Sequence, residues 1–272
     1  MTSASLAELP LLLILLTVVF LLTVVFLLLW LLQWRTRNAS WADAGWAVAV
    51  GAVMGWLLVQ GEGDTNRRLL AGLLIGLWAA RLGLHLLRRA VQPEEDGRFR
   101  AMRLQWGDRA QQNFLRYFLL QVPLVLLFAL PAAALADDPR ALAGRDLLGL
   151  GLGLCGLLGV SVADAQLHRH RSKSEDVCQT GLWRYSRHPN YFFEWLFWCC
   201  WPWMAPLTPP GLLAWITPVA AYLLLTRVTG IPPAERRALQ RRGDLYRRYQ
   251  MVTSPFFPRP LLKPPISRPD GI

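Results

Sequence analysis

The run Leu9–Leu32, LPLLLILLTVVFLLTVVFLLLWLL, carries no charged residue and is closed by Trp34, Arg35 and Arg37. It exceeds the roughly 20 apolar residues that an α-helix needs to cross the hydrocarbon core of a bilayer. A secretory signal has a shorter apolar region behind a basic leader, so the run reads as a retained first membrane helix. Backbone polar groups in hydrocarbon must be satisfied within the element itself, and an uninterrupted run of this length does that as a helix.

Similar runs follow outward from it. Trp41 to Val59 and Leu69 to Leu87 read as a second and a third span, joined by the short polar link Gln60 to Arg68. A long polar connection, Arg88 to Gln112, precedes a fourth span from about Phe114 to Leu135. Gly149 to Val162 lies in a fifth, whose Gly149, Gly151, Gly153 and Gly156 form a small-residue packing face. A sixth begins near Tyr191 and ends at the proline turn Pro206–Pro210, and a seventh runs from about Gly211 to Leu225.

The whole composition agrees with this reading. The 272 residues are 54% hydrophobic with a net charge of +11 from only 17% charged residues, which suits a membrane protein with basic loops. A soluble nucleic-acid binder would share the charge but not the long uncharged runs. The basic residues collect in the first, third and fifth connections and in the tail after Arg227, while the alternate connections are near neutral. Lys and Arg mark cytoplasmic loops, so the pattern predicts an all-α polytopic protein of about seven transmembrane helices, N-terminus outside and C-terminus cytoplasmic. It is a single integral membrane domain over 1–272.

Polar residues crowd one place. Gly181–Glu194, GLWRYSRHPNYFFE, sits at the lip of the sixth span, where such groups are costly unless they bind something. Asn190 and Glu194, four residues apart, share a helix face, so an amide and a carboxylate can together grip a planar group such as a nicotinamide carboxamide. Arginines farther out would take phosphates as bidentate partners. The structural alternative is a helix-start asparagine with a carboxylate in the first turn. Asp164, at the inner end of the fifth span, and Arg227, at the end of the seventh, are placed like site residues rather than loop residues. The four cysteines show no CxxC spacing, and His168 with His170 lacks a third ligand, so no metal is expected. No Walker loop appears and no GxGxxG follows a strand, so a dinucleotide would be bound outside a Rossmann fold.

Gly181–Glu194 resembles the signature of the steroid 5-alpha-reductase C-terminal superfamily, in its bacterial branch catalogued as a domain of unknown function (DUF1295-like). Arg227–Pro233 (RVTGIPP), Tyr246–Tyr249 (YRRY), Phe256–Pro258, Asp43 within WADAGW and Glu95–Phe99 (EDGRF) resemble the same branch. The resemblance implies an NADPH-dependent reductase in the membrane that passes hydride to a carbon–carbon double bond of a lipid-like or steroid-like enone drawn from the bilayer. The cofactor site would face the cytoplasm. Residues 1–140 would then form the substrate side, 141–260 the cofactor side, and 261–272 a tail. Carried over residue by residue, Asp164 and Arg171 would contact the nucleotide, Asn190 and Glu194 the nicotinamide end, and Arg227 a phosphate. Tyr185, Arg187, His188 and Tyr191 would line the mouth, joined by Tyr249 from the tail.

The chain departs from steroid reductases in one respect. They carry a Gln-Glu pair in the second helix and a Tyr in the third, and no Gln-Glu pair occurs in any span here. Asp43 and His85 are the candidates for the proton donor to the substrate carbonyl, Asp43 in protonated form. Trp46, Trp106 and Trp183 are candidates to shape the pocket. Two other classes compete: an S-adenosylmethionine-dependent membrane methyltransferase of the isoprenylcysteine or phospholipid type, which shares an Arg-His-Pro-x-Tyr element, and a non-catalytic lipid-binding membrane protein.

Overall fold

The computed structural model describes residues 3–260, with side chains from residue 12 onward, so the tail 261–272 lies outside the described residues. Among these residues there are helices and turns and no strand. In chain order the helices are α1 (Ser3–Thr36), α2 (Trp41–Gln60), α3 (Thr65–Ala90), α4 (Gly97–Trp106), α5 (Ala110–Ala136) and α6 (Gly144–Arg171). They continue as α7 (Pro189–Trp198), α8 (Trp201–Met204), α9 (Pro209–Leu212), α10 (Ile216–Leu223) and α11 (Ile231–Val252).

Among the described residues six helical stretches are long and apolar enough to cross a membrane: Leu12–Thr36, Trp41–Gln60, Thr65–Ala90, Gly97–Ala136, Gly144–Arg171 and Pro209–Val252. The run expected as the sixth of seven spans takes another form. It is broken at Cys199–Cys200 into the ten-residue α7 and a single turn, α8. Pro202 explains the break, because a proline inside a helix lacks the amide donor and its ring clashes with the carbonyl four residues back. The polar connection 88–112 also differs from the loop expected there: α3 runs on to Ala90, and α4 follows with Asp96 as its N-cap, accepting from the Arg98 amide at 2.8 Å.

The chain divides into two compact units, residues 1–61 with 71–136, and residues 62–70 with 137–272. In the first, α1, α2 and α5 pack on one another, and α4 packs on α5. Their shared core is aromatic. Phe26, Trp78, Phe99, Phe114, Phe118 and Phe128 are all buried, and the Trp46 ring meets Trp78 and Phe128 edge-on at 5.8 and 5.2 Å.

In the second unit, α6 lies against α7 and α8. Membrane helices approach closely where small residues face the neighbour, and α6 does this with Gly149, Gly153 and Gly156, all buried. A side chain at Gly156 would come within 2.7 Å of the Phe197 amide nitrogen and 2.9 Å of the Phe193 carbonyl, and one at Gly149 within 2.9 Å of the Cys200 carbonyl. Gly151, expected on the same face, instead points into open space. A spacing of three to four residues keeps a position on the contact face, and two residues turn it away.

The end of the same unit is held by a buried ion cluster. Arg67 is fully buried and bonds Asp146 through Nε at 2.9 Å and Nη2 at 3.1 Å, Asp138 at 3.1 Å, and the Ala141 carbonyl at 2.9 Å. Burial works against the charged form of Asp138, but hydrogen bonds from Arg140 and the nearby Arg67 outweigh it and hold the carboxyl below its ordinary range.

Two outcomes follow from this packing. Gly156→Leu should destabilise the detergent-solubilised protein by about 1–3 kcal/mol or more through overpacking against backbone. Gly151→Leu should leave the unfolding temperature nearly unchanged, and thermal melts of both variants check this. For Asp138 the folded pKa lies below the unfolded value of 3.8, so its contribution is complete above that value and is lost as pH falls through the folded value. The stability gap between the wild type and Asp138→Asn should therefore narrow on acidification below 3.8, as measured by melts across pH.

Candidate functional site

In the second unit the chain enters α7 through a tight turn. The residue before a proline is driven out of the helical region, and His188 accordingly sits at φ −137°, with Pro189 in the first turn of α7. Ser186 fixes the approach: its hydroxyl donates to the Phe256 carbonyl at 2.8 Å and accepts from the His188 amide at 3.1 Å. The Arg187 amide donates to the Ser254 carbonyl at 2.8 Å, and the Arg259 amide to the Tyr185 carbonyl at 3.0 Å. The segment after α11 is thereby laid along the start of α7.

The side chains continue the joint. Arg187, 8% exposed, donates through Nε to Glu235 Oε1 at 2.7 Å, and through Nη1 to the carbonyls of Thr253 at 2.6 Å and Gln250 at 3.1 Å. The last carbonyls of a helix lack amide partners and favour a cation there, so Arg187 caps α11. Glu235 also receives Gln250 Nε2 at 2.9 Å and lies 3.3 Å from His188 Nε2. Burial lowers the pKa of His188, and the hydrogen bond and charge of Glu235 offset this only in part. The ring is therefore neutral, and since a carboxylate only accepts, Nε2 carries the hydrogen. His188 stacks on Tyr191 with ring centroids 5.3 Å apart and planes 8° from parallel. The Tyr249 hydroxyl bonds the Trp183 carbonyl and lies 3.2 Å from that of Ser186.

Arg187, His188 and Tyr249, read from the sequence as lining a nucleotide, thus have protein partners and weld α11 to the head of α7. Asp164 and Asn190 do meet: Asn190 Nδ2 donates to Asp164 Oδ1 at 3.2 Å, across the tightly packed α6–α7 interface. Glu194 is half-buried one turn farther along α7, and Tyr191 is half-buried beside Asn190. Tyr185 is 42% exposed, and Arg171 and Arg227 are exposed, the latter in the π-helical turn Leu224–Val228. Trp183 is buried, its indole donating to the Ala163 carbonyl at 2.9 Å.

The first unit holds the other expected residues. Asp43, taken from the sequence as a lone carboxylate, has two partners: it is ion-paired with Arg98 through Oδ2, and Oδ1 lies 3.4 Å from the Tyr117 hydroxyl. Beside it Glu95 receives the Ala39 amide at 2.8 Å and Arg103 at 2.7 and 3.1 Å, and Arg103 donates on to Gln33 at 3.2 Å. That knot accounts for the EDGRF stretch: Glu95 ties the α1–α2 turn to α4, Asp96 caps α4, Arg98 reaches Asp43, and Phe99 is buried in edge contact with Tyr117 at 5.6 Å. His85 is exposed on α3, and Trp106 packs edge-on against Phe114 at 5.0 Å.

Sequence reasoning missed Glu235, Arg98 and Tyr117. Glu235 had a signal, since it is the sole carboxylate between Arg227 and Arg242. Tyr117 had a weaker one, a hydroxyl inside an apolar span. Removing one partner of a buried pair leaves an uncompensated charge, so Glu235→Ala should cost roughly 3–5 kcal/mol of stability. Adding Arg187→Met should restore part of that loss, and a double-mutant cycle by thermal unfolding measures the coupling.

Comparison with known proteins adds three findings. An uncharacterized protein of Schizosaccharomyces pombe is 28% identical over 267 residues, covering 85% of this chain and 76% of that protein. No solved structure matches. The model of a protein family of unknown function, DUF1295, matches residues 29–253. The match takes in the Glu95 knot, the α6–α7 interface and the Arg187–Glu235 joint alike, and the chain belongs to that steroid 5-alpha-reductase-like family.

Proposed function

We propose that the protein is a membrane-embedded, NADPH-dependent reductase acting on a carbon–carbon double bond conjugated to a carbonyl in a lipid-like or steroid-like substrate. The observation that carries this reading is the contact of Asp164 with Asn190 across the α6–α7 interface, next to the half-buried Glu194. Ionisable groups between membrane helices pair with one another and are a functional-site hypothesis by default. An amide carries two hydrogens and Asp164 takes one, so a carboxamide ligand fits a face offering amide and carboxylate together. Exposed Arg171 and Arg227 suit its phosphates.

NADPH, when bound, supplies the hydride. The residues of the chain orient it and manage charge at the substrate. Reduction of a conjugated carbonyl builds negative charge on its oxygen, and a hydrogen-bond donor aimed there lowers the barrier by roughly 3–4 kcal/mol. Asp43 and His85 are the proposed candidates for that donor, and the Tyr117 hydroxyl gives its single hydrogen to Asp43.

The decisive measurement is a cofactor titration on detergent-purified protein, with bound small molecules identified by mass spectrometry. NADPH should bind, and Glu194→Gln should weaken it about tenfold, or roughly 1.4 kcal/mol, at an unchanged unfolding temperature. Binding of S-adenosylmethionine in its place would move the protein to the methyltransferase class. Binding of neither would leave a lipid-binding role.

A further inference from the structure

The outward face of α11 is strongly basic and has no part in the joint just described. Its inner face carries Glu235, Tyr246 and Tyr249 against the Ser186–His188 turn. Its outer face carries Arg236, Arg241, Arg247 and Arg248, all exposed, with Leu245 and Met251 exposed at 40% and 77%. One carboxylate stands among them, Asp244, which pairs with Arg247 at 2.9 Å.

The placement of α11 relative to the apolar segments is determined at both ends. Only Thr229 and Gly230 separate it from the π-helical turn that closes the apolar run, so its start lies within about 10 Å of that end. A helix of 22 residues is about 33 Å long and could project far from there. It does not, because its far end returns. The Tyr249 hydroxyl bonds the turn before α7, and Phe256 and Phe257, just beyond the helix, pack on Trp195 of α7 and Tyr222 of α10 with ring centroids 5.4–6.2 Å apart. Gly243, at φ +50°, puts a bend in the middle. Both ends of α11 are thus held at the ends of apolar helices.

We propose that the outer face of α11 is a docking surface for the anionic phospholipid headgroups of the surrounding membrane. Arginine phosphate pairs supply the attraction, and the exposed Leu245 and Met251 sit at the acyl boundary. The charge complementarity is explicit: four exposed guanidinium groups against one exposed carboxylate on the same face.

The test uses the full-length protein with a solvatochromic probe on Met251→Cys, in a Cys155→Ala, Cys199→Ala background, reconstituted into nanodiscs. One set contains phosphatidylcholine alone and the other a mixture with phosphatidylglycerol, both with a nitroxide headgroup quencher. Quenching should be about twofold greater in the anionic discs and should fall to the neutral-disc level in salt of roughly 1 M. It should fall likewise in the combined Arg241→Gln, Arg247→Gln, Arg248→Gln variant, at an unchanged unfolding temperature. Equal quenching in both discs with no effect of salt would overturn the proposal. So would a response to NADPH in neutral discs as large as the response to phosphatidylglycerol, since the surface would then serve nucleotide phosphate. The salt arm uses native arginines and stands even if the triple variant does not fold.

Discussion

The ion pair between Arg187 and Glu235 joins two segments 48 residues apart in the sequence, and both side chains are withdrawn from most solvent. A guanidinium taken out of water must find its full set of acceptors or the fold fails. Arg187 finds one carboxylate and two carbonyls at the end of α11, and that demand draws the C-terminal helix back onto the head of α7. The rest of the joint depends on the same contact: His188 is held neutral against Glu235, Tyr191 is stacked on His188, and Ser186 and Tyr249 close the turn. Residues that look like ligand contacts in a motif are here the means by which the motif acquires its shape.

A second constraint acts along the helices. With lipid as solvent there is little hydrophobic gain in bringing two apolar helices together, so close van der Waals contact has to do it. Gly156 removes the side chain that would keep α6 and α7 apart, and Gly149 the one that would meet Cys200 and Met204 at α8. The same approach that packs the helices brings the Asp164 carboxylate to the Asn190 amide at 3.2 Å. Packing and polar geometry are therefore one feature of that interface, and a bulky residue on the glycine face would disturb both.

In the first unit a comparable economy is visible. The stretch Glu95–Phe99 uses each of its side chains beyond Gly97 for a different joint, tying the α1–α2 turn, capping α4, anchoring Asp43 and burying an aromatic ring. Asp43 is consequently an anchored acceptor that takes the hydrogen of the Tyr117 hydroxyl.

The sequence by itself determined that this is an all-helical chain with long apolar runs, that α6 packs through small residues, and that polar chemistry gathers near Asn190. Those features are local: run length, three-to-four-residue spacing and composition carry them without reference to the rest of the chain. Only the tertiary structure decided that Arg187 and His188 face Glu235, that Tyr249 bonds the carbonyls of Trp183 and Ser186, and that Asp43 belongs to Arg98 and Tyr117. The partners of a buried charge are chosen by which acceptors lie within 3 to 4 Å once distant segments have folded together, and nothing in the neighbouring sequence specifies them.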